Sequence, residues 1–198
     1  MIKESFLGAT LADIWQAQTQ QLVYMQVLNA MSFVAKVHAL PEAALSEGSC
    51  LAVIASVADA AVTLADPHKL LQDAHWPLLQ AKPSACERAD FVLVKGDIFH
   101  DAAYQVGSLS SPEQSTTLIV SVKTLSNSDA QRGLALRVTG PGIDGEIALH
   151  VDDLDTQWLR LHQAQQDHFP MGIDIILVGD KQVAALPRTA KITWSEEV

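Results

Sequence analysis

Four stretches of this chain carry apolar β-formers at consecutive rather than alternate positions: FVLVKG (Phe91–Gly96), TTLIVSVKTL (Thr116–Leu125), GIDIILV (Gly172–Val178) and QVAAL (Gln182–Leu186). A strand that is apolar on both pleated faces has to be covered on both sides. These runs therefore predict a sheet in the middle of the molecule, not one with a face in water. LALRVTG (Leu134–Gly140) is read as a further strand, paired in a hairpin with TTLIVSVKTL across the polar loop SNSDAQRG. AAVTLAD reads as a short strand ended by Asp66-Pro67.

Helical patterns surround these strands. Leu11, Ile14, Trp15, Leu22, Met25, Leu28 and Met31 recur close to a helical stripe with glutamines on the other faces, predicting one long helix from Leu11 to Met31. SCLAVIASVA (Ser49–Ala58) is apolar nearly all round, as in a buried helix. PHKLLQDA can form a short helix opened by Pro67, and the span from Asp153 to Asp167 another. The expected fold is α/β: a single layered domain with a mixed sheet flanked by helices. At 198 residues one core suffices, and no linker or repeat divides the chain.

Composition excludes several functions. Hydrophobic residues are 48% and charged ones 18%, and no apolar run is long enough to span a bilayer. The net charge of -10, with five arginines scattered at 88, 132, 137, 160 and 188, argues against nucleic-acid binding. The N-terminal segment lacks a continuous apolar core and carries Glu4 and Asp13, so cytoplasm is the expected location. Cys50 and Cys86 lack the spacing of a zinc or iron-sulfur site and are expected to be reduced thiols.

A search for catalytic chemistry finds little. There is no GxxxxGK[ST], GxSxG or HExxH, and GPGIDG (Gly140–Gly145) reads as a turn, since no helical run follows it. His68 and His75 are seven apart and could share a helix face, and His150 lies near Asp152 and Asp153, yet neither group has a third ligand at a familiar spacing. Lys95 and Lys123 lie at or within strands, where burial could activate an amine, but Lys95 reads as a strand-end charge. The residues that stand out are Arg137, Arg160 and Arg188, set in apolar or turn-forming surroundings, with Asp174 in GIDIILV as a partner for one of them. A guanidinium so placed needs a carboxylate or a bound anion. An internal ion pair, an interface contact and a phosphate contact all satisfy that need.

The segment FPMGIDIILVGDKQVAALPRTAKI, with Phe169, Pro170, Gly172, Asp174, Pro187, Arg188 and Thr189 in place, resembles the C-terminal signature of the PhnH family of carbon-phosphorus lyase subunits. LALRVTGPGI and the strand after Pro112-Glu113 are similar to its upstream blocks. In the N-terminal block YMQVLNAMSFVA keeps Ala30, Met31 and Ser32, whereas Met25 stands for an arginine and Phe33-Val34-Ala35 for a turn ending in Pro-Gly. The resemblance implies a fold like the large domain of pyridoxal-phosphate-dependent transferases without the cofactor site, hence no cofactor. It also implies association with PhnG-, PhnI- and PhnJ-like subunits, or a homodimer of the isolated protein. The complex transfers a phosphonate onto the ribose of ATP and then cleaves the carbon-phosphorus bond.

Three functions follow as expectations. One is a non-catalytic or site-completing subunit, docking through spare apolar residues of Leu11–Met31 or around Trp158 and Leu161. Another is a cryptic pyridoxal-phosphate enzyme using Lys95 or Lys123. The last is a phosphonate- or nucleotide-binding module acting through Arg137 or Arg188.

Overall fold

The structure, a computed structural model, describes residues 13–128 and 133–195, so Leu11 and Arg132 fall outside the described residues. In chain order the elements are α1 (Ala17–Ser32), β1 (His38–Ala39), α2 (Ser49–Val57), β2 (Thr63–Ala65), α3 (Trp76–Leu79), β3 (Lys82–Pro83), β4 (Phe91–Lys95) and β5 (Thr117–Ser121). They continue with β6 (Thr124–Ser126), β7 (Leu134–Thr139), β8 (Ile147–Asp152), α4 (Thr156–Gln163), β9 (Asp174–Val178), β10 (Gln182–Leu186) and β11 (Lys191–Trp194).

The consecutive-apolar strands do lie at the centre. A seven-stranded mixed sheet has the order β1-β10-β9-β5-β4-β2-β3, with β9, β5, β4, β2 and β3 mutually parallel, β10 running against them, and β1, antiparallel to β10, running in their direction again. All of Asp174–Val178 is buried. Alternate side chains of these strands enter opposite apolar clusters. Leu93, Ile119, Ile176 and Val178 meet α1 and α2 on one side, while Val94, Val120, Ile175 and Leu177 point to the other.

That other side is where the expected fold needs correcting. The mixed sheet was expected to be flanked by helices; here a second sheet, four antiparallel strands in the order β11-β7-β8-β6, covers this face together with α4. TTLIVSVKTL is not one strand and forms no hairpin with LALRVTG. It breaks at Val122-Lys123: Val122 N–H still donates to Val178 in the first sheet at 2.9 Å, while Lys123 N–H donates to Asp152 in the second at 3.0 Å. The chain thus changes sheets at one residue. β8 then inserts between β6 and β7, with Leu125 and Leu134 both opposite Val151.

Two helical expectations also change. Pro67 opens no helix, because the Asp66 carboxylate accepts from Leu70 N–H and Leu71 N–H at 2.9 and 2.7 Å and Lys69 adopts φ 54°, which folds the segment into a turn. The helix expected over Asp153–Asp167 is confined to α4, since Asp153 has φ 71° and Asp155 caps it by accepting from Gln157 N–H at 2.8 Å. Gly96 fixes where that helix sits. Its carbonyl accepts from Asp155 N–H at 2.8 Å and from the indole of fully buried Trp158 at 3.1 Å, and a Cβ there would lie 2.5 Å from the Asp153 carbonyl.

The N-terminal helix forms, but over Ala17–Ser32 only: Gln16 is extended and separates it from a single 3-10 turn at Asp13–Trp15. Thr19, Val23, Val27 and Ala30 are buried, and Leu22, Met25 and Leu28 of the predicted stripe are exposed. Small and β-branched residues let α1 approach α2 and β10 closely, a fit that the bulkier row does not offer.

Past α1, Ala35 takes φ 60° while buried, with its N–H donating to Ala185 and its carbonyl accepting from Asn127. An L-residue there carries a steric penalty of about 1–2 kcal/mol. Ala35→Gly is expected to raise stability by about 1 kcal/mol and the thermal midpoint by about 2–4 °C. A lowered midpoint would show that the methyl group's packing outweighs the strain.

Candidate functional site

The C-terminal motif closes on itself through one buried side chain. Asp174 is the first residue of β9, and Arg188 follows β10 by two residues, so the antiparallel β9–β10 pair brings them side by side. Asp174 Oδ1 accepts from the Arg188 backbone N–H at 2.7 Å and from Nε at 3.2 Å, and Oδ2 accepts from Nη2 at 2.5 Å. Nη2 also donates to Ser115 Oγ at 2.6 Å, and Nη1 donates to the carbonyls of Pro112 at 2.8 Å and Pro170 at 3.3 Å. The five N–H donors of a guanidinium thus have five acceptors, all within the chain. The pair is 17% and 13% exposed.

This arrangement pins two connecting segments. One is the loop before β5, held through Pro112 and Ser115. The other is the Phe169-Pro170 segment, joined by a cis peptide bond, which precedes β9. Gly172 N–H reinforces the junction by donating to Val106 at 2.9 Å. Next to it lies an open groove of about 480 Å³. Thr139, Gly140 and Pro141, at the end of β7 and the turn after it, line it together with Phe169, Thr189 and Lys191, Lys191 lying opposite Thr139 in the β11–β7 pair. The glycine-proline turn and the FP and PRT motifs, distant in sequence, meet here. Phe169 is 64% exposed.

The remaining predicted residues lie elsewhere. Arg137 donates to Glu146 at 2.5 Å in a solvated pair, 67% and 41% exposed, of the kind worth about 0–1 kcal/mol. Arg160 is exposed on α4, where it lines a separate depression with Gln163, Thr193 and Trp194. Lys123 is 65% exposed and faces Asp152 at 3.7 Å, and Lys95 is half-buried at the end of β4. No helix joins His68 to His75: His68 Nδ1 accepts from Lys95 N–H at 2.9 Å, and His75 Nδ1 accepts from Gln72 N–H at 3.1 Å. Among the described residues no three His, Cys, Asp or Glu side chains are placed to hold a metal ion. Both thiols are free, and burial pushes each above its ordinary value.

Sequence reasoning missed His162, which is 2% exposed behind the ion pair with Nε2 3.0 Å from the Pro187 carbonyl. It also missed the acceptors Pro112 and Ser115, 76 and 73 positions from Arg188, for which no local pattern exists. His162 sits on α4 at a position that reads as an ordinary helical polar residue. Only the packing reveals it.

Two outcomes test this geometry. Arg188→Ala should destabilise the protein by about 3–5 kcal/mol, because Asp174 is left buried without a partner, and Arg188→Lys should recover only part of that, having a point charge in place of a planar fork. A loss below 1 kcal/mol for Arg188→Ala in chemical denaturation would contradict it. Burial holds the His162 imidazole below its ordinary value near 6.5, against the opposing pull of the Pro187 carbonyl and Asp174. The unfolded chain therefore binds the proton more readily, and stability, fully present above pH about 6.5, falls as pH drops toward the folded value. His162→Gln should flatten the slope of unfolding free energy between pH 7 and 5; equal slopes in both proteins would assign the acid sensitivity elsewhere.

The sequence profile of the family described as bacterial phosphonate metabolism protein (PhnH) matches residues 12–193. A Stutzerimonas stutzeri protein named putative C-P lyase subunit protein HtxG is 36% identical over 196 residues, 97% of each chain. The Rhizobium meliloti protein named alpha-D-ribose 1-methylphosphonate 5-triphosphate synthase subunit PhnH is 36% identical over 89 residues, 45% of this chain and 42% of that one. The Gly140–Pro141 turn, the Phe169-Pro170 segment and the Asp174–Arg188 pair that meet at the groove fall inside the matched region, and the chain belongs to the PhnH family.

Proposed function

We propose that this chain is a non-catalytic, site-completing subunit of a carbon-phosphorus lyase complex, supporting transfer of a phosphonate onto the ribose of ATP. The names carried by its Stutzerimonas and Rhizobium relatives support the role. We take the partners to be PhnG-, PhnI- and PhnJ-like subunits, the chain to act as one cytoplasmic domain, and the isolated protein to form a homodimer. Kinship of the fold with the large domain of pyridoxal-phosphate-dependent transferases is part of the same proposal. No helix among the described residues is long and apolar enough to cross a membrane.

The observation that carries the docking role is the outer face of α1. Leu22, Tyr24, Met25 and Leu28 are 44–49% exposed and Phe33 just beyond is 53% exposed, and no charged residue lies within Ala17–Ser32. Large apolar side chains grouped on one helix and free of charge are what a partner surface offers, and each contributes about 1.5–3 kcal/mol when fully buried. Trp158, the other expected docking residue, is fully buried, and Leu161 is half-buried. That region is therefore core rather than surface.

Placing charges on this ridge tests the reading. The double variant Met25→Glu, Leu28→Glu should fold with an unchanged thermal midpoint and lose co-purification with co-expressed PhnG-, PhnI- and PhnJ-like subunits. Retained co-purification would move the interface off α1. Failure of the unaltered chain to associate with any of the three would remove the proposed function.

A further inference from the structure

We propose that the groove beside Phe169 seats a segment of a partner subunit, which packs an apolar side chain on the Phe169 ring and pairs a carboxylate with Lys191. The inference rests on the reading of the chain as a subunit of a complex. It adds a second contact, on the far side of the central sheet from α1, where β7, β11 and the segment after α4 come together.

The first argument is the state of Phe169. An aromatic ring 64% exposed on a mobile loop would mean little, but this one stands on a fixed segment. The Pro170 carbonyl accepts from Arg188, Met171 N–H donates to His168 at 3.0 Å, Gly172 N–H donates to Val106, and Ile173 N–H donates to the Gln165 side chain at 3.0 Å. The ring is exposed on a segment whose backbone is tied down by these hydrogen bonds, so a partner covering it meets little further ordering cost in that backbone. The same guanidinium anchors Pro112, three residues past Leu109, which is 74% exposed. Leu109 tops a turn closed by hydrogen bonds between Ser108 and Ser111 in both directions, at 3.1 and 3.2 Å. One buried ion pair therefore fixes the two segments that present the two most exposed large apolar side chains among the described residues.

The second argument is charge. Two cationic residues line the groove. Arg188 has every donor committed inside the chain, whereas Lys191 is exposed and has no ion-pair partner among the described residues. In a chain of net charge -10 this is a local positive point beside an apolar wall. A free inorganic anion would answer Lys191 and leave Phe169 in water, and a wholly apolar segment would do the reverse. A partner segment with an apolar residue next to an Asp or Glu answers both.

The test uses the full chain co-expressed with PhnG-, PhnI- and PhnJ-like subunits, with the photoreactive p-benzoylphenylalanine at position 169. Irradiation should join this chain to a partner subunit, and mass spectrometry should locate the bond in a peptide holding an acidic residue. In parallel, Lys191→Glu should weaken association about tenfold, and a charge reversal at the acidic residue so identified should restore it. Because Lys191 is exposed, the variant's thermal midpoint should match that of the unaltered chain. If the complex assembles but no cross-link to another subunit forms and Lys191→Glu binds undiminished, this inference falls while the proposed function stands. Cross-links confined to a second copy of this chain would also overturn it, marking the groove as a self-contact. A complex that does not assemble with the unaltered chain removes both.

Discussion

A buried guanidinium is costly unless each of its N–H groups finds an acceptor, and Arg188 meets that demand with five acceptors drawn from four places in the chain. Asp174 supplies the charge, and Pro112, Ser115 and Pro170 supply the remaining oxygens. None of these can shift alone, because a carbonyl that leaves exposes an unsatisfied donor in a protected site. The loop entering β5, the segment entering β9 and the exit of β10 are therefore fixed relative to one another. The groove beside Phe169 inherits its shape from that constraint. What such a pair provides is specificity of arrangement at little net gain in stability, since its Coulomb attraction is largely offset by desolvation.

The central sheet imposes the second constraint. Strands apolar on both faces need two covers, and this chain uses different ones: helices α1 and α2 on one side, a smaller antiparallel sheet with α4 on the other. The change of sheets at Lys123 makes the second cover possible, and Gly96 makes room for α4 by bringing its backbone against that of Asp153. With the core thus closed, chemistry is left to the periphery. The two features found there, an uncharged apolar ridge on α1 and an apolar groove with a single uncommitted lysine, are both of the kind that binds protein.

Much of this was legible from residues alone. Consecutive apolar positions in FVLV and IDIILV placed those strands between two layers, and the even apolar coating of Ser49–Val57 marked α2 as buried. The Gly140–Gly145 segment is a turn, as its proline and aspartate suggested. Ala35 has the positive φ that suits the glycine of the family pattern at its position. The failures have specific causes. β8 was overlooked although Ile147, Leu149 and Val151 alternate with Ala148, His150 and Asp152 as in a strand of an outer sheet, and β11 because KITW is too short to show a period. Which face of α1 enters the core was not legible, because two adjacent rows of that helix are apolar and periodicity cannot say which one the sheet will accept.

The sequence by itself determined the doubly covered central sheet and the family, because these follow from local patterning and from motifs that lie within single segments. It also put Asp174 and Arg188 within one hairpin's reach. Only the tertiary structure decided that Arg188 is fully committed within the chain, that Lys191 and Phe169 share a groove, and that Leu22, Met25 and Leu28 face outward. Each of those outcomes depends on contacts between residues far apart in the chain, such as Pro112 and Ser115 with Arg188, and no local pattern encodes which distant carbonyl will complete a guanidinium's shell.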